Sequence, residues 1–373
     1  MKKYIVGGFC RDKLLGLQPK DRDFVIVGAN EWDIKQLILQ GYEQVGADFP
    51  VFISPQGEEY ALARIERKTG VGYDGFDVQT KNVTLEQDLS RRDLTINAIA
   101  YDQVKRTYID PYNGQADLNN KVLRHVSDAF KEDPLRVLRL ARFAARYSEF
   151  KVHPDTDKMV REMVSNGEIN HLTKERVYVE FEKACTEDTP SIFFKYLNDI
   201  QALKVLLPEF KCTQVNQKRI DAIAKNATSA YVQDFIWAIL LEKKELSKVK
   251  GGVLDKIKAP VHLIKFATLV QKHSETFLKF RKLKPEEMVS LFDAINVKNL
   301  GGEEFLYKFC EYFIINKELD TEHEELIMKV YDTYIDTDLS SIEEKQKSGE
   351  MSGIEVRDAV HNARVVNVSK MFI

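Results

Sequence analysis

The 373-residue chain is 44% hydrophobic and 30% charged, with a net charge of −3. That length suffices for two or three domains with buried cores. The near balance of charge excludes a globally basic nucleic-acid binder, so any anion-binding surface must be local.

The opening stretch, Met1 to Val6, is basic and then apolar. Gly7, Gly8 and Arg11-Asp12 cut it well short of a secretory signal. No stretch approaches the roughly 20 apolar residues that span a bilayer. Cys10, Cys185, Cys212 and Cys310 lack a C-x-x-C or metal-ligand spacing and read as reduced thiols. A soluble, cytoplasmic protein without a membrane partner is expected.

Residues 4–6 predict a short strand, and 9–15 a short helix stopped by Gly16. Phe24-Val25-Ile26-Val27 predicts a buried strand ending at Gly28. Asn30 caps an expected helix over 31–40, which Gly41 stops. Short strands are expected at 51–53 and 59–65. Residues 66–83, with Gly70, Gly72 and Gly75, have little periodicity and read as a mobile loop. A helix is expected over 88–100, and a strand at 107–109 leading into the turn Asp110-Pro111-Tyr112-Asn113-Gly114. From Ser127 strand signals vanish. Helical patterns run over 129–147, 155–164, 174–185, 191–197 and several stretches of 214–337, with a break at 249–252 and a polar linker over 336–353. The reading is an α+β head of about 125 residues followed by an all-helical remainder.

Gly7-Gly8-Phe9-Cys10-Arg11-Asp12 opens a helix, and a turn rich in backbone N–H groups suits a phosphate chain. Lys20-Asp21-Arg22-Asp23 heads the next apolar strand. Alternate strand residues share a face, so Asp21 and Asp23 can hold divalent metal between them. Nucleotidyl transfer uses two metals ~3.5–4 Å apart, with shared carboxylate ligands. Glu59, opening its own strand, is the candidate third carboxylate. A solvated turn of alternating charge is the plain alternative.

In Ser90-Arg91-Arg92-Asp93-Leu94-Thr95-Ile96-Asn97-Ala98, Arg92 suits a triphosphate, and Asp93 or Asn97 suits a ribose hydroxyl. An exposed helix start with surface ion pairs explains the same residues. In Glu132 to Arg146, helical spacing gathers Arg136, Arg139, Arg142 and Arg146 within roughly 120°. Four guanidiniums in one stripe repel unless something anionic lies against them. Asp133, one turn before Arg136, gives an acceptor and donor pair that can imitate a Watson–Crick edge. Lys279, Arg281, Lys282 and Lys284, interleaved with Phe277 and Phe280, can grip RNA or be a solvated helix end.

Together G-G-F-C-R-D, K-D-R-D-F-V-I-V-G, R-R-D-L-T-I-N-A, D-P-Y-N-G-Q-A-D-L and E-D-P-L-R-V-L-R-L-A-R-F-A-A-R-Y resemble the class II CCA-adding enzymes, bacterial type. These are tRNA nucleotidyltransferases of the DNA polymerase β-like superfamily. The resemblance covers about residues 1–210, and the stretch 44–52 is similar to the CCA-adding subgroup rather than its poly(A) polymerase relatives. It implies a catalytic head with a small mixed sheet over 1–125 and a nucleotide-selecting helical neck over 126–210. A helical body and tail over 211–373, binding tRNA, would follow. It further implies that Asp21 and Asp23 bind Mg²⁺ and that Gly8, Arg11 and Arg92 contact the incoming CTP or ATP. Asp133 and Arg136 would then read its base, with Arg139 and Arg142 completing the pocket. The loop at 66–83 resembles the family's flexible loop, which helps switch from C to A addition.

Beyond residue 210 the match fades. Many bacterial relatives carry a His-Asp phosphohydrolase domain there. This chain has no His-Asp dipeptide, and phosphohydrolase activity is not expected. Three alternatives stay open: an A-adding or poly(A)-adding enzyme, a non-catalytic tRNA-binding protein, or a small-molecule nucleotidyltransferase. The last would need neither the arginine stripe nor a long helical body.

Overall fold

Lys2–Val6 forms strand β1, whose Tyr4, Ile5 and Val6 are buried. Gly7, at φ +71°, turns the chain into α1 (Gly8–Leu14), and β2 (Asp23–Val27) returns beside β1. The computed structural model describes residues 1–46, 51–68, 76–208, 210–242 and 257–373. It divides into two units, the first built on Met1–Pro208 and the second on most of the remaining chain.

In the first unit α2 (Glu31–Leu39) starts at the expected cap. Asn30 accepts from the Asp33 N–H while Asp33 accepts from the Asn30 N–H. Then come β3 (Glu43–Val45), β4 (Val51–Ile53), β5 (Glu59–Leu62), β6 (Ile65–Lys68), β7 (Phe76–Gln79), α3 (Leu85–Ser90), β8 (Ala100–Asp102) and β9 (Thr107–Ile109). A seven-stranded sheet takes the order β3-β4-β5-β2-β1-β8-β9. It is mixed, because β5 runs parallel to β2 while the other neighbours are antiparallel. Phe24 and Tyr60 are register partners across the parallel pair and stack at 4.2 Å.

The chain continues through α4 (Gly114–Asn119), β10 (Val122–Leu123), α5 (Leu135–Arg146), β11 (Lys151–Val152), α6 (Pro154–Ser165), α7 (Lys174–Cys185), α8 (Pro190–Asp199) and α9 (Leu203–Leu206). At Gly114 a Cβ would lie 2.2 Å from the Thr95 carbonyl oxygen, so only glycine lets α4 start there. Helix α5 buries Val137, Leu138, Leu140, Ala141 and Ala145 and packs against α7 and α8. Each large aliphatic side chain buried this way contributes about 1.5–3 kcal/mol.

Several expected elements differ. The helix over 88–100 ends with α3 at Ser90. Leu94 is extended and bridges to His125, Thr95–Asn97 is a 3-10 turn, and β8 begins at Ala100. Asp93 accepts from the Leu94 N–H at 2.8 Å, the local bond by which aspartate competes with helix. The helix over 129–147 is a 3-10 turn, Asp128–Glu132, followed by α5. Within 66–83, β6 and β7 pair antiparallel, so the flanks of the expected loop are a ladder; residues 69–75 lie outside the described residues. So do 47–50 and the expected break at 249–252.

The second unit is helical. It holds α10 (Gln214–Asn226), α11 (Val232–Leu241), α12 (Val261–Leu278), α13 (Pro285–Ile295), α14 (Glu303–Ile315), α15 (Thr321–Ile335), α16 (Ser340–Lys347) and α17 (Gly353–Ser369). The linker expected over 336–353 therefore contains a helix, α16. None of its residues is buried, which explains why no apolar stripe marks it. Phe277 and Phe280 are fully buried in an aromatic core with Phe292, Phe309 and Phe313. They are not available to stack on RNA. Arg281 pairs with Asp320 and Glu322, and Lys279 with Glu275.

All four cysteines are free. Burial pushes the Cys10 and Cys185 thiols up to about 12, and Cys310 is buried as well. At pH 8 the native protein should therefore lose only the half-buried Cys212 to iodoacetamide, with all four thiols reacting after unfolding. Intact-mass measurement reads this directly, and rapid native labelling of Cys10 would contradict the packing.

Candidate active site

Seven arginines (Arg11, Arg64, Arg91, Arg92, Arg136, Arg139 and Arg176) and three aspartates (Asp23, Asp93 and Asp133) line one cavity of about 640 Å³ in the first unit. In a chain of net charge −3 this concentrates positive field at one place. Gly7 and Gly8 form part of the wall. A Cβ on Gly7 would sit 3.1 Å from Arg92 Nη1, and one on Gly8 3.4 Å from Arg11 Nη2. The bare turn thus lets two guanidiniums lie against backbone.

Arg11 is buried, yet its charge is met on several sides. Nε donates to Asp12 Oδ1 at 2.8 Å and Nη1 to Asn97 Oδ1 at 2.7 Å. The Phe143 and Tyr147 rings lie 5.4 and 5.7 Å from the guanidinium carbon. Arg92 reaches Asp88 at 3.3 Å. Its Nε is buried with no hydrogen-bond partner among the described residues, an orphan donor beside the cavity.

Asp23, the first residue of β2, keeps an accessible carboxylate at the cavity edge. The surrounding protein shields it enough to raise its carboxyl above the ordinary range. Arg92 opposes that rise, and Asp21 adds to it. Asp21 is exposed, two residues upstream, and does not line the cavity. Glu59 is the register partner of Asp23 on β5 and is likewise exposed and outside the lining. Among the described residues no three His, Cys, Asp or Glu side chains gather closely enough to hold an ion by themselves, so the expected three-carboxylate group is not formed.

Asp93 is buried, and each of its oxygens carries two bonds. Oδ1 accepts from the Leu94 N–H and Asn97 Nδ2, at 2.8 and 3.0 Å. Oδ2 accepts from Arg139 Nε and Nη2, at 2.8 and 2.7 Å. Burial raises this carboxyl, but Arg139, Asn97 and the Leu94 N–H more than offset it and hold it well below the carboxylate range. Its role in this arrangement is to fix Arg139. At the start of α5, Asp133 Oδ1 accepts from the Leu135 N–H at 3.1 Å and Oδ2 from Arg176 at 2.8 Å. Arg136 is held by two carbonyls, Nη1 to Ala129 at 2.7 Å and Nη2 to Arg91 at 2.6 Å.

Gly8, Arg11, Asp23, Arg92, Asp93, Asp133, Arg136 and Arg139 thus come together, whereas Asp21, Glu59 and Arg142 lie outside the lining. Arg142 is buried. Its Nε donates to Glu180 at 2.7 Å and Nη1 to Glu187 at 3.0 Å, and it borders a separate cavity of about 700 Å³. The α5 stripe therefore finds carboxylate partners within the fold: Asp93 for Arg139, Glu180 and Glu187 for Arg142, and Asp12 and Glu187 near Arg146. Sequence reading missed Arg64, Arg91 and Arg176. For Arg91 the signal was present, since Asp88 stands three residues before it and four before Arg92, the spacing of helical ion pairs.

The poly A polymerase head domain matches residues 3–124, and the probable RNA and SrmB-binding site of polymerase A matches 149–213. A multifunctional CCA protein of Actinobacillus pleuropneumoniae serotype 5b is 44% identical over 355 residues, 84% of each chain. A CCA-adding enzyme of Francisella tularensis subsp. novicida is 53% identical over 319 residues, 83% of this chain and 84% of the other. The fold is that of a CCA-adding enzyme in its apo form II, with a TM-score of 0.73 at 23% identity over 98% of this chain and 88% of the other. A Thermotoga maritima CCA-adding enzyme complexed with tRNA gives 0.70 at 22% identity, over 99% and 87%. With these identities and coverages joined to the head-domain match, the chain belongs to the family of bacterial class II CCA-adding enzymes.

Proposed function

We propose that this protein adds C, C and A to the 3′ end of tRNA from CTP and ATP, without a nucleic-acid template and with release of pyrophosphate. The observation that carries this is a carboxylate, Asp23, at the edge of a cavity with seven arginines, next to the Asp133 and Arg136 pair. The tRNA 3′-hydroxyl attacks the α-phosphate of the bound nucleotide. Gly8 lets the phosphates approach the backbone, Arg11, Arg92 and Arg139 neutralise them, and Asp133 with Arg136 faces the base. Catalysis is then mainly positioning and charge stabilisation. Arg142 keeps α5 registered against α7 through Glu180 and so supports the row of residues ahead of it.

The family uses divalent metal, and Mg²⁺ at Asp21 and Asp23 is part of the reading. The donor set fits. Two hard carboxylates with no third ligand beside them among the described residues suit an ion that completes its shell from substrate phosphates and water. Bound there, Mg²⁺ would neutralise charge on the attacking and leaving oxygens. Glu59 stands beside Asp23 on the neighbouring strand, and Asp93, on the cavity wall, holds Arg139 in place. A cytoplasmic location belongs to the same reading, and no helix among the described residues is long and apolar enough to cross a membrane.

The test is incubation with Mg²⁺ and tRNA ending at its discriminator base, with CTP and ATP given separately and together and products sized to one nucleotide. Two additions with CTP alone and three with both are expected, and none from the Asp21→Ala, Asp23→Ala double variant. Growth by A alone or long A tails would move the protein to a restricted or poly(A)-adding activity. No addition to any RNA would leave a binding protein.

A further inference from the structure

Asp88 sits on the last full turn of α3 with none of its side chain exposed. Its Oδ1 accepts from Arg91 Nε at 3.1 Å, from Arg91 Nη2 at 2.9 Å and from the Arg64 backbone N–H at 3.3 Å. Its Oδ2 accepts from Arg92 Nη2 at 3.3 Å. Arg64, Arg91 and Arg92 all line the arginine-rich cavity, and Asp88 does not. One buried carboxylate therefore ties together the backbone just ahead of β6 and the two arginines just beyond α3. The Arg91 carbonyl in turn accepts from Arg136, so the same knot adjoins the base-facing pair.

Adjacent arginines repel, and long side chains without a partner spread into water. A surface ion pair at helical spacing would not prevent this, since exposed pairs contribute little. Full burial and a third partner, the Arg64 backbone N–H, set Asp88 apart. Burial raises its carboxyl, while Arg92, Arg91 and the Arg64 N–H pull it below the ordinary range, so it remains charged.

We infer that Asp88 is a positioning residue of the nucleotide site, fixing the Arg91 and Arg92 guanidiniums for the triphosphate and holding the base of the β6–β7 hairpin to them. The inference rests on the function proposed above. Asp88 touches no substrate and acts through the two arginines.

Asp88→Asn keeps the shape and the acceptor for Arg64 while removing the charge. It should raise KM for both CTP and ATP roughly tenfold or more, the scale of one charged hydrogen bond. The Kd for tRNA should stay at the wild-type value. In an Arg92→Gln background the same change should add far less than it does alone, because the two act as one unit. Wild-type KM values in a folded Asp88→Asn protein, or full additivity with Arg92→Gln, would overturn the assignment. So would equal losses of nucleotide and tRNA affinity that track a fall in Tm. Should Asp88→Asn not fold, Asp88→Glu keeps the charge on a longer arm, and an unchanged KM there would equally overturn it. Equilibrium binding of CTP and ATP across the series separates the two questions. Wild type that binds but does not incorporate counts against the proposed function, whereas Asp88→Asn that binds like wild type counts against this inference.

Discussion

Asp23→Asn should lower nucleotide incorporation on the order of a thousandfold while leaving Tm unchanged or slightly raised. On the proposed function, the loss follows from removing Asp23, the cavity-edge member of the two carboxylates, Asp21 and Asp23, that would hold Mg²⁺. The stability half follows from the sign of the carboxyl's shift. Shielding by the protein, with Asp21 adding to it, places the folded pKa above the unfolded one despite Arg92. At neutral pH the ionised group is therefore less favourable folded than unfolded, so the charge opposes folding. A neutral side chain of the same shape removes that opposition. Activity and stability should consequently part company, as is common where a site keeps an unfavourable charge for its chemistry. Steady-state incorporation and thermal unfolding of the same preparation check both halves. Activity within tenfold of wild type, or a fall of several degrees in Tm, would refute the argument.

The features legible in the sequence were those set by local chemistry. The Gly7-Gly8 turn, the Asn30 cap, the apolar β2 strand and the helices α6, α7 and α8 all follow from short-range rules. The corrections come from pairing across distance. The chain leaves the helix at Leu94 because, around its bridge to His125, 31 positions on, the Thr95 N–H donates to the Arg124 carbonyl and the Asp93 carbonyl accepts from the Val126 N–H. The arginine stripe on α5 seemed to ask for an external anion because its carboxylates, Asp93, Glu180, Glu187 and Asp12, come from four other elements or turns. Sequence spacing on one helix cannot display partners on another. Phe277 and Phe280 carried the same ambiguity, since aromatics among lysines look alike whether they face RNA or a core.

Asp133→Asn should relax the choice of nucleotide, raising incorporation of UTP relative to CTP by roughly 5- to 150-fold, the span of about 1–3 kcal/mol attached to a paired base contact. Cytosine and adenine both present an exocyclic amino group beside an unprotonated ring nitrogen. Uracil and guanine present a carbonyl beside a ring N–H. A carboxylate next to a guanidinium matches the first pattern: on the proposed function Asp133 would accept from the amino group and Arg136 would donate to the ring nitrogen. It opposes the second, where a carbonyl would meet the carboxylate. The fold makes this choice rigid. Arg136 is pinned by the Ala129 and Arg91 carbonyls, and Asp133 by Arg176 and the Leu135 N–H, so neither side chain can turn to suit a different edge. An asparagine at 133 carries both a donor and an acceptor and can present either by rotating its amide. CTP and ATP rates should fall together, since both lose the same contact. The stability change should stay within about 1 kcal/mol, because asparagine keeps the acceptor for the Leu135 N–H and only the partly exposed ion pair to Arg176 is lost. Competition between CTP and UTP on tRNA lacking its CCA end reads the ratio directly. An active variant with an unchanged ratio would mean that the base is selected elsewhere in the cavity.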